Sequence, residues 1–360
     1  YEDAAPNAAT PTSITVLGHP FDVLDSAWDM TDGLSIGSSI TLLLTADGKV
    51  AGIAPSSARV RSTAIGMVDG NTATVFLPNG GTLELSGTIS NAASLADQLV
   101  TISSGSKGRI SASRLSSRSA PGAFDAAGMR LGSYTVTAGV KVYEQVFGGG
   151  AMVELGMDHL GLSQVPADKI AAYHLNTSDM VDYIVLEAVT GNAYQYGMMV
   201  ADTKTEPAIK DEETGEITTP EKTTQTWDLI NSKGVALDFA DQTGYSGRNG
   251  DFVGIAAGKT RTGDKATIKS VIQLTEVENV RPGDFFESQG VTYVTAGGRT
   301  YRVSDDVECY RRIDNNRYDK ANWFTQETGA QRLSACRAFS SDLTIYVDPI
   351  GEQVRIVQAN

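Results

Sequence analysis

Along most of this chain apolar and polar residues alternate with a period of two, in short runs broken by glycine-rich clusters. That period sends successive side chains to opposite faces, as in a half-buried strand. With the β-branched enrichment it predicts strands at 72–77, 83–87, 99–103, 134–136, 140–146, 183–189, 235–239, 252–256, 266–273, 301–303, 344–347 and 354–357. Asp47-Gly48 and Pro349-x-Gly351 each separate two apolar runs. They predict hairpins, because glycine accepts the positive φ such turns need. Pro78-Asn79-Gly80-Gly81 and Gly148-Gly149-Gly150 predict further turns. Helical pattern is sparse: 93–98 behind Ser94, 166–174 with Pro166 at the first helical position, and 331–337.

The apolar pattern also repeats. Tyr134-x-Val136-x-x-x-Val140-x-Val142-Tyr143 returns as Tyr301-x-Val303-x-x-x-Val307-x-Cys309-Tyr310, at one constant offset. Downstream, Ser178-Asp179-Met180-x-x-Tyr183-Ile184 answers Ser341-Asp342-Leu343-x-x-Tyr346-Val347. Upstream, Val100-x-Ile102-x-x-Gly105 answers Val253-x-Ile255-x-x-Gly258, Leu77-x-Asn79-x-Gly81 answers Ile230-x-Ser232-x-Gly234, and Ile65-Gly66-Met67 answers Tyr196-Gly197-Met198. Blocks in one order, with offsets that change only between blocks, are the mark of duplication with loop insertions. The expected organisation is therefore a linker at 1–12, an N-terminal β segment at 13–58 resembling the tail of a preceding module, and two β modules at 59–196 and 197–360. The second module carries an inserted loop at 201–224. That loop is charged, Thr-rich and nearly devoid of aliphatic side chains, with a hairpin turn expected at Glu213-Thr214-Gly215-Glu216. The fold class expected is mainly β: tandem duplicated small barrel-like or sandwich-like modules with short helices, in an elongated arrangement.

Composition narrows the function. A formal net charge of −14 argues against nucleic-acid partners and anionic membrane surfaces, whose charges would repel it. No run approaches the roughly 18 apolar residues of a membrane span, so membrane insertion by this segment is not expected. The two cysteines, Cys309 and Cys336, stand where the first copy has Val142 and Tyr173. They read as small buried hydrophobes, with a disulfide between neighbouring strands left open.

Motifs of chemistry fail on spacing. Gly254-x-x-x-Gly258-Lys259-Thr260 has three residues between its glycines where a phosphate-binding loop needs four. His19, His159 and His174 show no zinc-like spacing, and there is no Cys-x-x-Cys. Gly244-Tyr245-Ser246-Gly247 places its second glycine one position too early for a nucleophile elbow. Acidic pairs such as Asp305-Asp306 read as solvated surface, since a glycosidase needs two carboxylates fixed across a cleft. No catalytic, cofactor or metal residues are expected. The candidate ligand contacts are exposed aromatics, Trp227, Tyr245 and Trp323, which suit a glycan platform.

The recurring Y-x-V unit, the Ser-Asp-x-x-x-Tyr strand and the Ile40 to Val50 hairpin resemble the repeated β-rich region of large surface proteins with S-layer homology domains, found in clostridial Gram-positive bacteria. The helical S-layer homology motif itself is absent. The resemblance implies a non-catalytic, extracellular structural or stalk region of a cell-surface, S-layer-associated protein, with its anchor outside this segment and no cofactor. Its implied partners are neighbouring modules of the same longer chain, and cell-wall or host glycans. The alternative is an adhesin or glycan-binding region acting through exposed loops and aromatics.

Overall fold

The computed structural model describes residues 1–360 apart from 32, 55–63, 78–81, 97, 105–107, 116–118, 148–151, 161–163, 177, 211–213, 215–216, 240–244, 260–265 and 314–318. The turns expected at 78–81 and 148–150 lie outside the described residues, as does most of the turn at 213–216. The chain is mainly β, with 56% of the described residues in strands and 11% in helical segments. It divides into two compact units, one formed by Tyr1–Lys141 with Pro166–Val185, the other by Val142–Val165 with Leu186–Asn360.

In the first unit, residues 1–12 contribute the strand Asp3–Ala5, which pairs antiparallel with Ser13–Val16. The expected hairpin near Asp47-Gly48 is present as Thr41–Leu44 against Val50–Ala54, with Gly48 at φ 82°. A six-stranded sheet follows in the order Thr82–Ser86, Thr72–Phe76, Ala64–Asp69, Val100–Ser104, Arg109–Arg114, Thr88–Ile89. Alternation fixes its faces: Ala73 and Val75 point inward from one strand and join Ile14, Phe21, Val50 and Val100 in a core. The unit also holds Phe124–Asp125, Arg130–Leu131, the start of the long strand Tyr134–Gln145, the strand Ile170–Leu175, and Val181–Glu187 as far as Val185.

In the second unit, a five-stranded sheet runs Gly234–Asp238, Lys222–Asn231, Gln195–Glu206, Phe252–Lys259, Ala266–Gln273. Residues 201–206 and 222–224 are the outer part of a long ribbon within it, paired from Met198↔Ile230 out to Glu206↔Lys222, with Ile209 and Ile217 exposed beyond its last pair. β-branched threonines on both arms suit a solvated pleat. A six-stranded sheet then runs Thr275–Val280, Leu343–Val347, Gln353–Ala359, Arg299–Arg311, Val291–Ala296, Phe285–Ser288. Leu343–Val347 and Gln353–Ala359 are buried at every position, the polar Thr344, Gln353, Arg355 and Gln358 included, so burial there does not alternate along the strand. The helix Gly329–Phe339 contains the predicted 331–337 and starts at a capping box between Thr328 and Gln331.

The repeat is written into the pairing. Gly66 lies opposite Val100 in one sheet, and Gly197 opposite Val253 in the other. In both places a Cβ on the glycine would run into a neighbouring strand's carbonyl, Thr74 O at 2.0 Å and Ile230 O at 2.4 Å. The two Tyr-Val strings each occupy one long strand, Tyr134–Gln145 and Arg299–Arg311. The predicted break between 136 and 140 is therefore corrected to a single strand.

Two further expectations are corrected. The helix expected over 166–174 is a 3-10 turn, Ala167–Lys169, followed by the strand Ile170–Leu175, whose Ile170 and Ala172 face inward with the period of a strand. The Ser-Asp correspondence slips as well. Asp179, at φ 56°, lies in the turn between Ile170–Leu175 and Val181–Glu187; Glu352, at φ 50°, lies in the turn between Leu343–Val347 and Gln353–Ala359. By sheet position Tyr173 answers Tyr346, and Cys336 lies on a helix with no strand counterpart.

Candidate functional site

The densest polar arrangement in the second unit surrounds the loop 188–192, which joins Val181–Glu187 to Gln195–Glu206. Glu144 is fully buried near the end of its strand. Its Oε1 accepts the backbone N–H of Val189 at 2.5 Å, Thr190 at 2.6 Å and Gly191 at 3.1 Å, while Oε2 accepts Asn192 N–H at 3.1 Å and the Thr190 hydroxyl. A buried carboxylate is tolerated only when its lone pairs are met, and here five donors meet them.

The loop's acceptors are held from another element. Arg355, 3% exposed, donates to Thr190 O through Nη2, to Asn192 Oδ1 at 2.8 Å and Ser304 Oγ at 3.1 Å through Nη1, and to Asp348 Oδ2 at 2.6 Å through Nε. Asp348 is completed by the N–H groups of Ile350 and Gly351 at 2.9 and 2.6 Å. The Arg355 guanidinium lies 4.7 Å from the Tyr196 ring centroid, and the Tyr196 hydroxyl donates to Gly191 O at 2.8 Å. Burial pushes the Tyr196 phenol far above its ordinary value, with Arg355 opposing and Asp348 and Glu144 reinforcing.

An open cleft of about 660 Å³ adjoins this clamp. Asn192, Gln195, Tyr196 and Arg355 line it together with Asn231, Lys233, Arg302, Asp305, Asp306 and Glu308. Arg302 pairs with Asp305 at 3.4 Å, and Glu308 accepts Ser232 N–H at 3.0 Å. The lining is rich in amides and carboxylates and mixes both signs of charge, which suits hydroxyl-rich ligands.

The predicted contact residues are distributed otherwise. Trp227 and Tyr245 meet edge to face with centroids 4.8 Å apart, both half-buried against the core of the five-stranded sheet. The Tyr245 hydroxyl donates to Asp251 Oδ2 at 3.1 Å, and burial, then Asp251, raises its pKa. Trp323 is 5% exposed and packs in a separate cluster with Phe252, Tyr310 and Tyr346. None of the three lines the cleft. Among the described residues no group of three His, Cys, Asp or Glu is placed to hold a metal ion, and no helix is long and apolar enough to cross a membrane.

Sequence reading passed over Glu144, Asp348 and Arg355. The signal was present: each is a charge set within an apolar run, Val142-Tyr143-Glu144-Gln145-Val146 and Ile345-Tyr346-Val347-Asp348 with Val354-Arg355-Ile356-Val357. A charge inside a strand buried on both faces must have partners. Comparison of this chain with protein-family models, with curated proteins and with solved structures gives no match.

Proposed function

We propose that this chain is a non-catalytic structural region, a stalk or array-forming segment, of an extracellular bacterial cell-surface protein of the S-layer-associated kind. The observation that carries this reading is the clamp on 188–192. This loop of the second unit has its donors taken by Glu144 and its acceptors by Arg355. Buried, fully partnered charges on a loop resist its local opening and so stiffen the module that carries it. The acidic surface keeps such a chain soluble and disfavours adhesion to anionic polymers. Its partners are neighbouring modules of the same longer chain. Antibodies raised against the folded 360-residue chain test the reading on intact cells of the bacterium that encodes it. Labelling without permeabilisation is expected; labelling only after permeabilisation would overturn it.

A second reading is an adhesin or glycan-binding region, and the amide- and carboxylate-lined cleft favours it. A glycan array that includes mucins separates the two. Saturable binding to one glycan class, lost in Asp305→Ala and Asp306→Ala, would establish the second reading; silence from folded protein would leave the structural one.

A further inference from the structure

Cys309 lies on the strand Arg299–Arg311 and Cys336 on the helix Gly329–Phe339, and both are completely buried in one apolar cluster. Beyond burial, the neighbouring Cys336 thiol raises the Cys309 thiol above its ordinary range. Val357 fixes both positions: it is the register partner of Cys309 on the adjacent parallel strand, and its carbonyl lies 3.8 Å from Cys336 Sγ. Two cysteines in a chain of 360 residues thus meet at one point, although one is on a strand and the other on a helix. The helix closes over the sheet at this point, with Arg332 anchoring the same helix to Val307 O at 3.0 Å on the same strand.

We propose that Cys309 and Cys336 form a structural disulfide that staples the helix to the long strand, made during folding by exchange with a small-molecule disulfide. One cysteine thiolate attacks the small disulfide, forming a mixed disulfide and expelling one small thiol. The second thiolate then attacks the protein sulfur of that mixed bond and expels the other. One S–S bond is broken and one formed, two electrons pass from the cysteines to the reagent, and the two cysteine protons end on the two released thiols. The exchange belongs to the folding chain, because burial, reinforced by Cys336, pushes the Cys309 thiol up, and both sulfurs are closed off from solvent in the folded protein. Closing a loop of about 28 residues restricts the unfolded chain enough to raise the melting temperature of this unit by about 6–12 °C.

The test refolds the reduced 360-residue chain either in a glutathione redox mixture or with a phosphine reductant. After oxidative refolding the expected product is monomeric, lighter than the reduced chain by two hydrogens, without thiols titratable in denaturant, and higher-melting. Two remaining thiols, glutathione adducts, disulfide-linked dimers, or an oxidised form that melts no higher than the reduced one would each overturn the proposal. Cys309→Val, which installs the residue found at 142 in the other long strand, supplies the control. Its melting must not respond to the redox mixture, and a rise equal to that of the native chain would also overturn it.

Discussion

Arg355 Nε lies 2.6 Å from Asp348 Oδ2, with both side chains withdrawn from solvent, Arg355 on the strand Gln353–Ala359 and Asp348 in the turn that leads into it from Leu343–Val347. The pair has the geometry that a buried ion pair requires: Asp348 also receives two turn N–H groups, and Arg355 also serves Asn192, Ser304 and Thr190. Removing one partner leaves the other charge buried and uncompensated. Arg355→Ala is therefore expected to destabilise the second unit by about 3–5 kcal/mol. The double variant Arg355→Met with Asp348→Asn is expected to cost less than the sum of Arg355→Met and Asp348→Asn made singly, since only the double leaves no lone charge. Denaturant unfolding of the four proteins measures the cycle, and additive costs would show that the two residues act separately.

Glycine is required on both sides of the same loop. Gly191 has φ +76°, and a Cβ there would stand 2.8 Å from the Tyr196 hydroxyl oxygen and 3.0 Å from Arg355 Nη2. At Gly351 the added carbon would come 2.2 Å from Thr190 O, a backbone atom that cannot swing aside. Gly351→Ala is expected to cost about 2 kcal/mol or more, through displacement of the loop from Glu144 and Arg355. Gly139, where an added carbon meets nothing within 4 Å, is the reference site, and Gly139→Ala should stay within about 0.5 kcal/mol. Equal melting curves for the two variants would refute the clamp.

The contrast between those glycines shows what was legible in the sequence and what was not. Gly66 and Gly197 were matched by sequence alone, and the structure pairs them with Val100 and Val253 in the same way. Local alternation and turn chemistry carry that information, and they placed most of the strands they predicted to within two residues, while Gln195–Glu206 and Lys222–Asn231 were not among them. Strand continuity was harder to see. Tyr134–Gln145 reads as two pieces because Thr137, Ala138 and Gly139 interrupt the apolar pattern, yet pairing with neighbours carries the strand through. The segment 166–174 misled for the opposite reason. Its alanines and Pro166 satisfy helix-start rules, but tertiary pairing overrides that propensity. The clamp was hidden because its members come from positions 144, 190, 348 and 355, and long-range satisfaction of buried charge leaves no spacing to read.

The buried tyrosine of the clamp sets an alkaline limit. The Tyr196 phenol is raised in the folded chain, chiefly by burial, so it stays protonated where the unfolded chain, with an ordinary value near 10, ionises. Above that pH the unfolded state binds fewer protons than the folded one, and stability falls as pH rises. The expected slope from this residue is about 1.4 kcal/mol per pH unit once the unfolded phenol is ionised. Tyr196→Phe should be less stable at neutral pH, because Gly191 O loses its donor, yet should lose stability less steeply between pH 10 and 12. Denaturant titrations across that range decide it; identical slopes would show that the phenol is not held protonated by the fold.

Tyr310 closes the duplicated string of the second long strand and is fully buried. Its ring meets Phe252 and Trp323 edge-on, with centroids 5.6 and 5.1 Å away, and its hydroxyl oxygen accepts the Asp319 N–H at 2.6 Å. Truncation to Ala removes the ring from a packed aromatic cluster and leaves a cavity, so Tyr310→Ala is expected to cost about 3–5 kcal/mol. Tyr310→Phe keeps the ring and gives up only the hydrogen bond, an expected loss of about 1 kcal/mol. Tyr143, 4% exposed at the matching position of the other long strand, should answer truncation with a cost of the same size. If Tyr310→Ala melts with Tyr310→Phe, the hydroxyl alone matters and the aromatic cluster does not hold the sheet. If Tyr143→Ala melts with the native chain, the second tyrosine of the repeat is not a shared core position.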